Sequence, residues 1–407
     1  MSEINEHFKI QRPRMVIYRH RVNQSAQFFL WALFVYVFFQ ILTTTYITSK
    51  LPHLVNMFLM YLPIVLLLSK NLLFKSAFKT RGVFAFSVCF AGLCFIVGRT
   101  NEKLFSIMLL FFLIASSIDV DFEDIIRWQL FALCMVLVVT FGACFCGFIP
   151  NETLSHLGKT AYCFGFQYYT TLPNVVFASS ACWLYLHRYK GLFWKLLFIW
   201  VVNWYTYKLS TTLHTFICAS MFVVLVFMFE CIKVFNIKHK VWAIISAIVF
   251  PSAAVLSFVA AVLYPTNTAK LEYINEIMNN RIIFMSRGIV DYGIHLFGSA
   301  FTMYGAQNSS SEIYNYIDNG YIYCLLAYGI VLFLLVILAY SYCTYVSSKR
   351  NDTILVCWAI SIAFFGLSNQ ILLNLRYNPI LYLLMPLLLE RWIKHRNGNK
   401  SERGRYV

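Results

Sequence analysis

The chain has 407 residues, of which 60% are hydrophobic and only 12% charged, whereas soluble globular domains carry about a quarter charged residues. That excludes a soluble globular protein, and 39 Phe, 26 Tyr and 9 Trp exclude a disordered one. The formal charge of +16 collects at the ends of apolar runs, so it tracks membrane topology and does not mark a nucleic-acid partner.

A bilayer span needs roughly 20 apolar residues, and the chain offers twelve candidates in order. Residues 1–26 form a basic N-terminus with Lys9, Arg12, Arg14, Arg19 and Arg21, followed by an uncleaved first span from Phe28 to Ile47. The second span, Leu51 to Ser69, ends at a basic cluster of Lys70, Lys75, Lys79 and Arg81. Spans three and four are Val83 to Val97 and Leu104 to Ile118, with an external link between them and an acidic cytoplasmic loop, Asp119 to Trp128, after them. Span five runs from Gln129 to Phe148, and an external loop to about Thr170 leads into span six, Leu172 to Leu186. Spans seven to nine are Gly191 to Tyr205, about His214 to Ile232, and Val241 to Tyr264.

The longest polar stretch, 265–320, separates this block from the last three spans, Tyr321 to Val346, Thr353 to Leu372 and Pro379 to Leu389, and from a basic tail at 391–407. Of the 33 Lys and Arg, 23 fall on the same side as the N-terminus, 9 on the other and Lys195 within a span. The positive-inside rule makes the first side cytoplasmic. The expected architecture is therefore an all-α polytopic membrane protein of about twelve transmembrane helices: 27–264 holding spans one to nine, an extracytoplasmic loop at 265–320, and 321–390 holding spans ten to twelve. Both termini are expected in the cytoplasm.

The twelve cysteines are scattered mostly through spans, where they act as small apolar residues. There is no CxxC pair, no Cys/His cluster with zinc spacing and no phosphate-binding GxxxxGK[ST] loop, so no metal, disulfide or nucleotide-driven pumping is expected.

In a chain this apolar, ionisable residues outside the cytoplasmic clusters carry the functional signal. On the expected outer side these are Arg99, Lys103, Lys159, Lys208, Arg281, Arg287 and Arg376, with Asp291, Asp318, His156, His214 and His295. Singly, each reads as a solvated or snorkelling side chain. Seven cations on the side the positive-inside rule disfavours point together to an anionic ligand. Within the long loop, apolar positions from Leu271 to Met285 recur at helical spacing, which predicts an amphipathic helix on the membrane surface ending near Arg281. Arg287, Asp291 and His295 stand four residues apart, as either an i,i+4 salt bridge with a neighbouring histidine or a ligand contact. Asp318 reads either as the N-cap of span ten or as a carboxylate at the bilayer surface. Cations at headgroup level, a carboxylate and a covering loop suit a lipid-linked pyrophosphate: arginines bind the diphosphate and a carboxylate or histidine accepts a sugar-hydroxyl proton.

Three segments resemble the Wzy-type polysaccharide polymerases, which share a superfamily with the O-antigen ligases. They are Asn279-Asn280-Arg281-Ile282-Ile283, the stretch from Asp291 to Gly298, and the stretch from Tyr316 to Ile330, which is similar to a DN.Y...L..YG signature. Asp318 and Gly329 have the spacing of the ligases' H-x10-G motif with Asp for His; Arg287 and Gly298 match an R-x10-G pattern; Gly165-Phe166-Gln167 and Pro173-Asn174 are similar to a GF..pN segment. Where many members carry Ser-Arg at the start of span eight, this chain has Thr212-Leu213-His214-Thr215, leaving His214 or Lys208 for that contact.

The resemblance implies a GT-C-like fold and a glycosyltransferase with no cofactor. It would move a growing glycan, with inversion, from undecaprenyl pyrophosphate onto the non-reducing end of another lipid-linked repeat unit in the bacterial cytoplasmic membrane, alongside a flippase and a chain-length regulator. It implies Arg281 on the donor diphosphate, Arg287 and His295 beside it, and Asp318 at the acceptor hydroxyl. Asp291, Arg99, Lys159, Lys208, His214, Arg376 and Tyr321 would be further substrate contacts, with Tyr168, Tyr169, Tyr314 and Tyr316 stacking on sugars. A ligase with the same chemistry, or a flippase of lipid-linked oligosaccharide, are the rival expectations. The unlike halves and near charge-free spans speak against a flippase.

Overall fold

The computed structural model describes residues 24–74, 81–156, 159–188, 190–231, 239–305 and 315–403. The basic residues of 1–23, Lys75, Lys79, the loop tip at 306–314 with Tyr314, and 404–407 lie outside them. The described chain is mostly helical, with one short hairpin and irregular stretches at 293–305, 315–319 and 366–379. Its helices are α1 (Gln24–Leu42), α2 (His53–Phe74), α3 (Arg81–Thr100), α4 (Leu104–Ser116), α5 (Phe122–Phe145), α6 (Thr171–Leu186), α7 (Leu192–Ser210), α8 (Leu213–Val226), α9 (His239–Leu263), α10 (Thr268–Ile277), α11 (Arg281–Tyr292), α12 (Gly320–Lys349), α13 (Thr353–Phe365) and α14 (Leu384–Arg403). A helix stands at each of the twelve positions where the sequence predicts a span. Seven of them, α1, α2, α3, α5, α8 with the π turn that extends it to Glu230, α9 and α12, are long and apolar enough to cross a membrane. α4 and α13 are apolar but shorter.

The expected acidic loop before span five is helix instead. Asp121 caps α5 by accepting from the Glu123 N–H at 2.8 Å, with Glu123 and Asp124 in the first turn. Carboxylates there meet free N–H groups and the positive end of the helix dipole. Asp119 turns inward to Lys70, whose side chain is fully buried, with Nζ 2.5 Å from the carboxylate. Lys70 therefore does not sit in a solvated basic cluster.

The loop between α9 and α12 marks what we call the loop end of the bundle. There the expected single helix from Lys270 to Met285 is two, because Asn279 and Asn280 take left-handed φ of 52° and 62°. Asn is among the few non-glycine residues that adopt this conformation readily. α11 buries Ile282 and Met285 against Ala261 and Tyr264 at the end of α9 and Ile322 and Leu326 of α12. Burial of each such side chain is worth about 1.5–3 kcal/mol. The hairpin β1 (Thr153–His156) and β2 (Lys159–Tyr162) lies between α5 and α6. Past it, Tyr46 N–H donates to the Gly165 carbonyl and Gln167 N–H to Thr44, which ties the approach to α6 onto the end of α1.

α12 is broken. Phe250 of α9 stacks on Tyr340 at 4.4 Å, while Ser257 bonds Asn319. About seven residues of α9, roughly 10 Å of rise, thus face about 21 residues of α12, roughly 31 Å if straight. The bend falls at Gly329, with φ 81° and ψ 169°. Gly298, also at φ 81°, packs backbone to backbone against it, and a Cβ on Gly329 would lie 2.3 Å from the Gly298 nitrogen. The interrupted helix bonds are met from outside the helix. Ile330 and Val331 N–H donate to His295 and Leu296 carbonyls, and the freed Leu326 and Ala327 carbonyls accept from Ser299 N–H and Asn101 Nδ2. Such satisfaction is what lets non-helical backbone persist within a membrane protein.

The second departure is 366–379, where helix was expected to Leu372 and again from Pro379. α13 stops at Phe365 and α14 begins at Leu384 after a single turn. The segment between them is buried and irregular, with Gln129 Nε2 donating to the Leu375 and Arg376 carbonyls and Tyr340 Oη to the Leu372 carbonyl.

Candidate functional site

The loop end gathers polar side chains from four elements. Arg281 opens α11 and reaches Asp318, with Nε 3.1 Å from Oδ2 and both side chains partly exposed. Asp318 is not the helix cap. Asn319 caps α12, its Oδ1 accepting from Tyr321 and Ile322 N–H at 3.0 and 2.9 Å, while its Nδ2 donates to Ser257 and to the Leu367 carbonyl. The cap fully uses the Asn319 amide and leaves the Asp318 carboxylate beside the guanidinium. Burial raises the Asp318 pKa above the usual carboxylate range, although Arg281 pulls it back down.

Two tyrosines complete this centre. Burial, followed by the Asp318 charge, pushes the Tyr316 phenol up to about 12, and the same causes raise Tyr168. Both therefore remain O–H donors at neutral pH. The Tyr168 ring packs against Tyr169, tilted by 32° with ring centres 4.7 Å apart.

Next to Gly320 is a cavity of about 190 Å³ between α1, the first third of α12 and the 366–379 segment. Gln40, Tyr323, Tyr328, Gln370, Asn374 and Arg376 contribute its polar groups, and none of the described residues lining it is a carboxylate. Gln370 Nε2 donates to the Ile317 carbonyl at 2.7 Å, joining this wall to the segment that carries Asp318. Arg376 donates from Nη1 to the Gln40 carbonyl and lies over the Tyr377 ring, while its Nε is buried with no partner. Lys103, just before α4, donates to Tyr323 Oη at 3.1 Å.

The structure thus brings together Arg281, Asp318, Tyr168 and Tyr316, with Arg376 and Lys103 alongside. It keeps others apart. Tyr321 is fully buried, its Oη bonded to the Ala363 carbonyl, so it is a core residue and no substrate contact. Arg287 and Asp291 are exposed on α11 and form no ion pair among the described residues, and His295 lies beyond the helix, which ends at Gly293 (φ 67°). His295 bonds the Tyr292 carbonyl. Arg99 and Lys159 are exposed. Lys208 is exposed beside the Trp204 and Tyr207 rings, 5.6 and 6.0 Å from their centres. His214 lies against Phe365, one residue from the Gly366 carbonyl that accepts from Gly320 N–H. Both glycines of the ten-residue spacings do meet, but as the contact that breaks α12.

Sequence reasoning missed Gln40, Gln370 and Asn374 as lining residues. A signal was present, since Ser368, Asn369, Gln370, Asn374, Arg376 and Asn378 crowd a stretch taken as span and link. Such polarity in an apolar run marks backbone that needs partners. Among the described residues no group of His, Cys, Asp and Glu is placed to hold a metal. No family model, curated protein or solved structure matches the chain.

Proposed function

We propose that this chain is a Wzy-type polymerase, a membrane glycosyltransferase with twelve spans and a GT-C-like arrangement whose loop end faces away from the cytoplasm. The observation that carries this reading is the Arg281–Asp318 pair, partly exposed close to a polar cavity whose described lining holds a second arginine and no carboxylate. A base of raised pKa paired with one guanidinium, with a second arginine in the neighbouring cavity, fits glycosyl transfer from a diphosphate leaving group. Asp318 takes the proton of the acceptor hydroxyl as its oxygen forms a bond to the donor's anomeric carbon. The bond from that carbon to the diphosphate oxygen breaks, and the diphosphate leaves with the electron pair. Attack opposite the leaving group inverts the anomeric centre. Arg281 favours the carboxylate form of Asp318 against the effect of burial and turns its remaining N–H groups toward the charge growing on the diphosphate. Tyr168 and Tyr316 offer O–H donors and ring faces to the sugars.

Both substrates are glycans on undecaprenyl pyrophosphate, one donor and one acceptor. The test is purified protein in detergent with lipid-linked repeat units, resolved by gel. Wild type should build a ladder of polymer, and loss of the ladder in Asp318→Asn at unchanged folding supports the assigned base. No ladder from folded wild type with any single-repeat substrate, or a ladder unchanged in Asp318→Asn, would sink the reading.

A further inference from the structure

A second cavity shares one lining residue with the first. It is an apolar groove of about 200 Å³ between α3, α4, α12 and α14, walled by side chains such as Phe90, Ile114, Ala339 and Leu388. Leu373 lines both spaces. Along one side the groove is rimmed by Leu335 and Leu338, both exposed on the lipid-facing surface, so a chain enters sideways from the bilayer. The polar cavity supplies the matching head site. It holds Arg376 with an unpartnered buried N–H, amide groups of Gln370 and Asn374, and no carboxylate among its described lining residues. A buried donor without a partner costs about 1–3 kcal/mol, and an anionic oxygen would meet it. Arg281, by contrast, is already paired with Asp318.

We propose that these two cavities form one seat for the donor lipid: its diphosphate at Arg376 and its polyprenyl chain in the groove below Leu373. One groove takes one chain, which selects a single-chain polyprenyl lipid over a two-chain glycerophospholipid. The identification of this lipid as the donor rests on the function proposed above. The reason is proximity: the polar cavity is lined by Gly320, two residues from Asp318. Only the donor carries its diphosphate on the reacting carbon, whereas the acceptor's diphosphate lies at the far end of its repeat unit.

The test measures binding to the full-length protein in detergent, by the shift of its thermal midpoint with ligand concentration. The probes are undecaprenyl diphosphate, inorganic pyrophosphate and dioleoyl phosphatidylglycerol. Ala339→Phe fills the groove floor, Leu335→Trp crowds its rim at an exposed position that tolerates size, and Arg376→Gln removes the head charge. Undecaprenyl diphosphate affinity should fall at least about tenfold in each, since a single buried prenyl unit of about five carbons exceeds 1.4 kcal/mol. Pyrophosphate binding should fall only in Arg376→Gln, and phosphatidylglycerol should not compete. Unchanged undecaprenyl diphosphate affinity in Leu335→Trp together with folded Ala339→Phe overturns the seat, and so does equal competition by phosphatidylglycerol. The two readings fail separately. Lost binding in the groove variants with no polymer from wild type refutes the polymerase assignment alone, whereas polymer from wild type with unaltered binding in the variants refutes the seat alone.

Discussion

Two ion pairs at opposite ends of the bundle use the same chemistry to different ends. Lys70 and Asp119 are sealed: Lys70 also donates to the Ser116 carbonyl and lies over the Phe29 ring, and Asp119 accepts from Ser25 Oγ. The described partners all belong to helices and turns of the bundle, so the pair pins α1 and α2 to the end of α4 and the turn that follows it. Arg281 and Asp318 share one hydrogen bond and remain partly exposed beside a cavity. Saturated bonding marks a fastener. Unsaturated bonding next to open volume marks a place where another molecule completes the set.

The sharpest way to break this comparison is to remove one partner from each pair. Lys70→Ala leaves Asp119 buried without its cation, and breaking a buried pair in this way costs about 3–5 kcal/mol. The expected result is a large fall in thermal midpoint and membrane abundance, read by blotting and by melting of the purified protein. Arg281→Ala should instead leave abundance near wild type and lower polymer formation by about a hundred- to thousandfold, as loss of one charge-stabilising donor does. Arg281→Lys should restore little, because an ammonium cannot bridge two oxygens as a planar guanidinium does. If Arg281→Ala instead melts early and Lys70→Ala stays intact, the two roles have been assigned the wrong way round.

The ionisation of Asp318 sharpens the same contrast more gently. A base works when deprotonated, and burial raises this carboxyl. Activity should therefore be full above that raised pKa and fall as pH drops through it, at higher pH than an ordinary Asp near 4 would give. Arg281 lowers this pKa, so the residual activity of Arg281→Ala should lose its acid limb at higher pH still. A pH–rate profile with an unmoved limb in that variant would separate Arg281 from the ionisation of Asp318.

How much of this was readable in advance follows from the range of the forces involved. Hydrophobic runs and basic flanks are local signals, and they placed a helix at each expected position. The broken α12 was not legible, because Gly329 looks like any glycine in a span until Gly298, some thirty positions earlier, is packed against it. The acidic segment at 119–128 misled because Asp121 and Glu123 read as loop residues, yet they start a helix by capping it. Arg281 and Asp318 were singled out as cation and carboxylate, but their pairing across 37 residues depends on how α11 lies on α9 and α12, which no local pattern encodes. The cavity wall at Gln370 and Asn374 was hidden for the same reason: those residues serve backbone that leaves the helix.

The smallest expected effect isolates the Asp318–Asn319 step, where a fastener and a reactive group are neighbours. Asn319 satisfies two N–H groups at the start of α12 and two acceptors on neighbouring elements, so it belongs with Lys70 in kind, whereas Asp318 belongs with Arg281. Asn319→Asp keeps the cap, since Asp accepts from helix N–H groups about as well as Asn, but loses the donation to Ser257 and the Leu367 carbonyl. Asn319→Ala loses both. The cap alone is worth about 1 kcal/mol, so the thermal midpoint should fall in the order wild type, Asn319→Asp, Asn319→Ala. Polymer made per folded molecule should change little in Asn319→Asp, because Asp318 keeps its place and its partner. A drop in that ratio as large as the one for Asp318→Asn would mean that the two positions act as one polar unit, and the division between fastening and reacting groups would then fail at this end of the molecule.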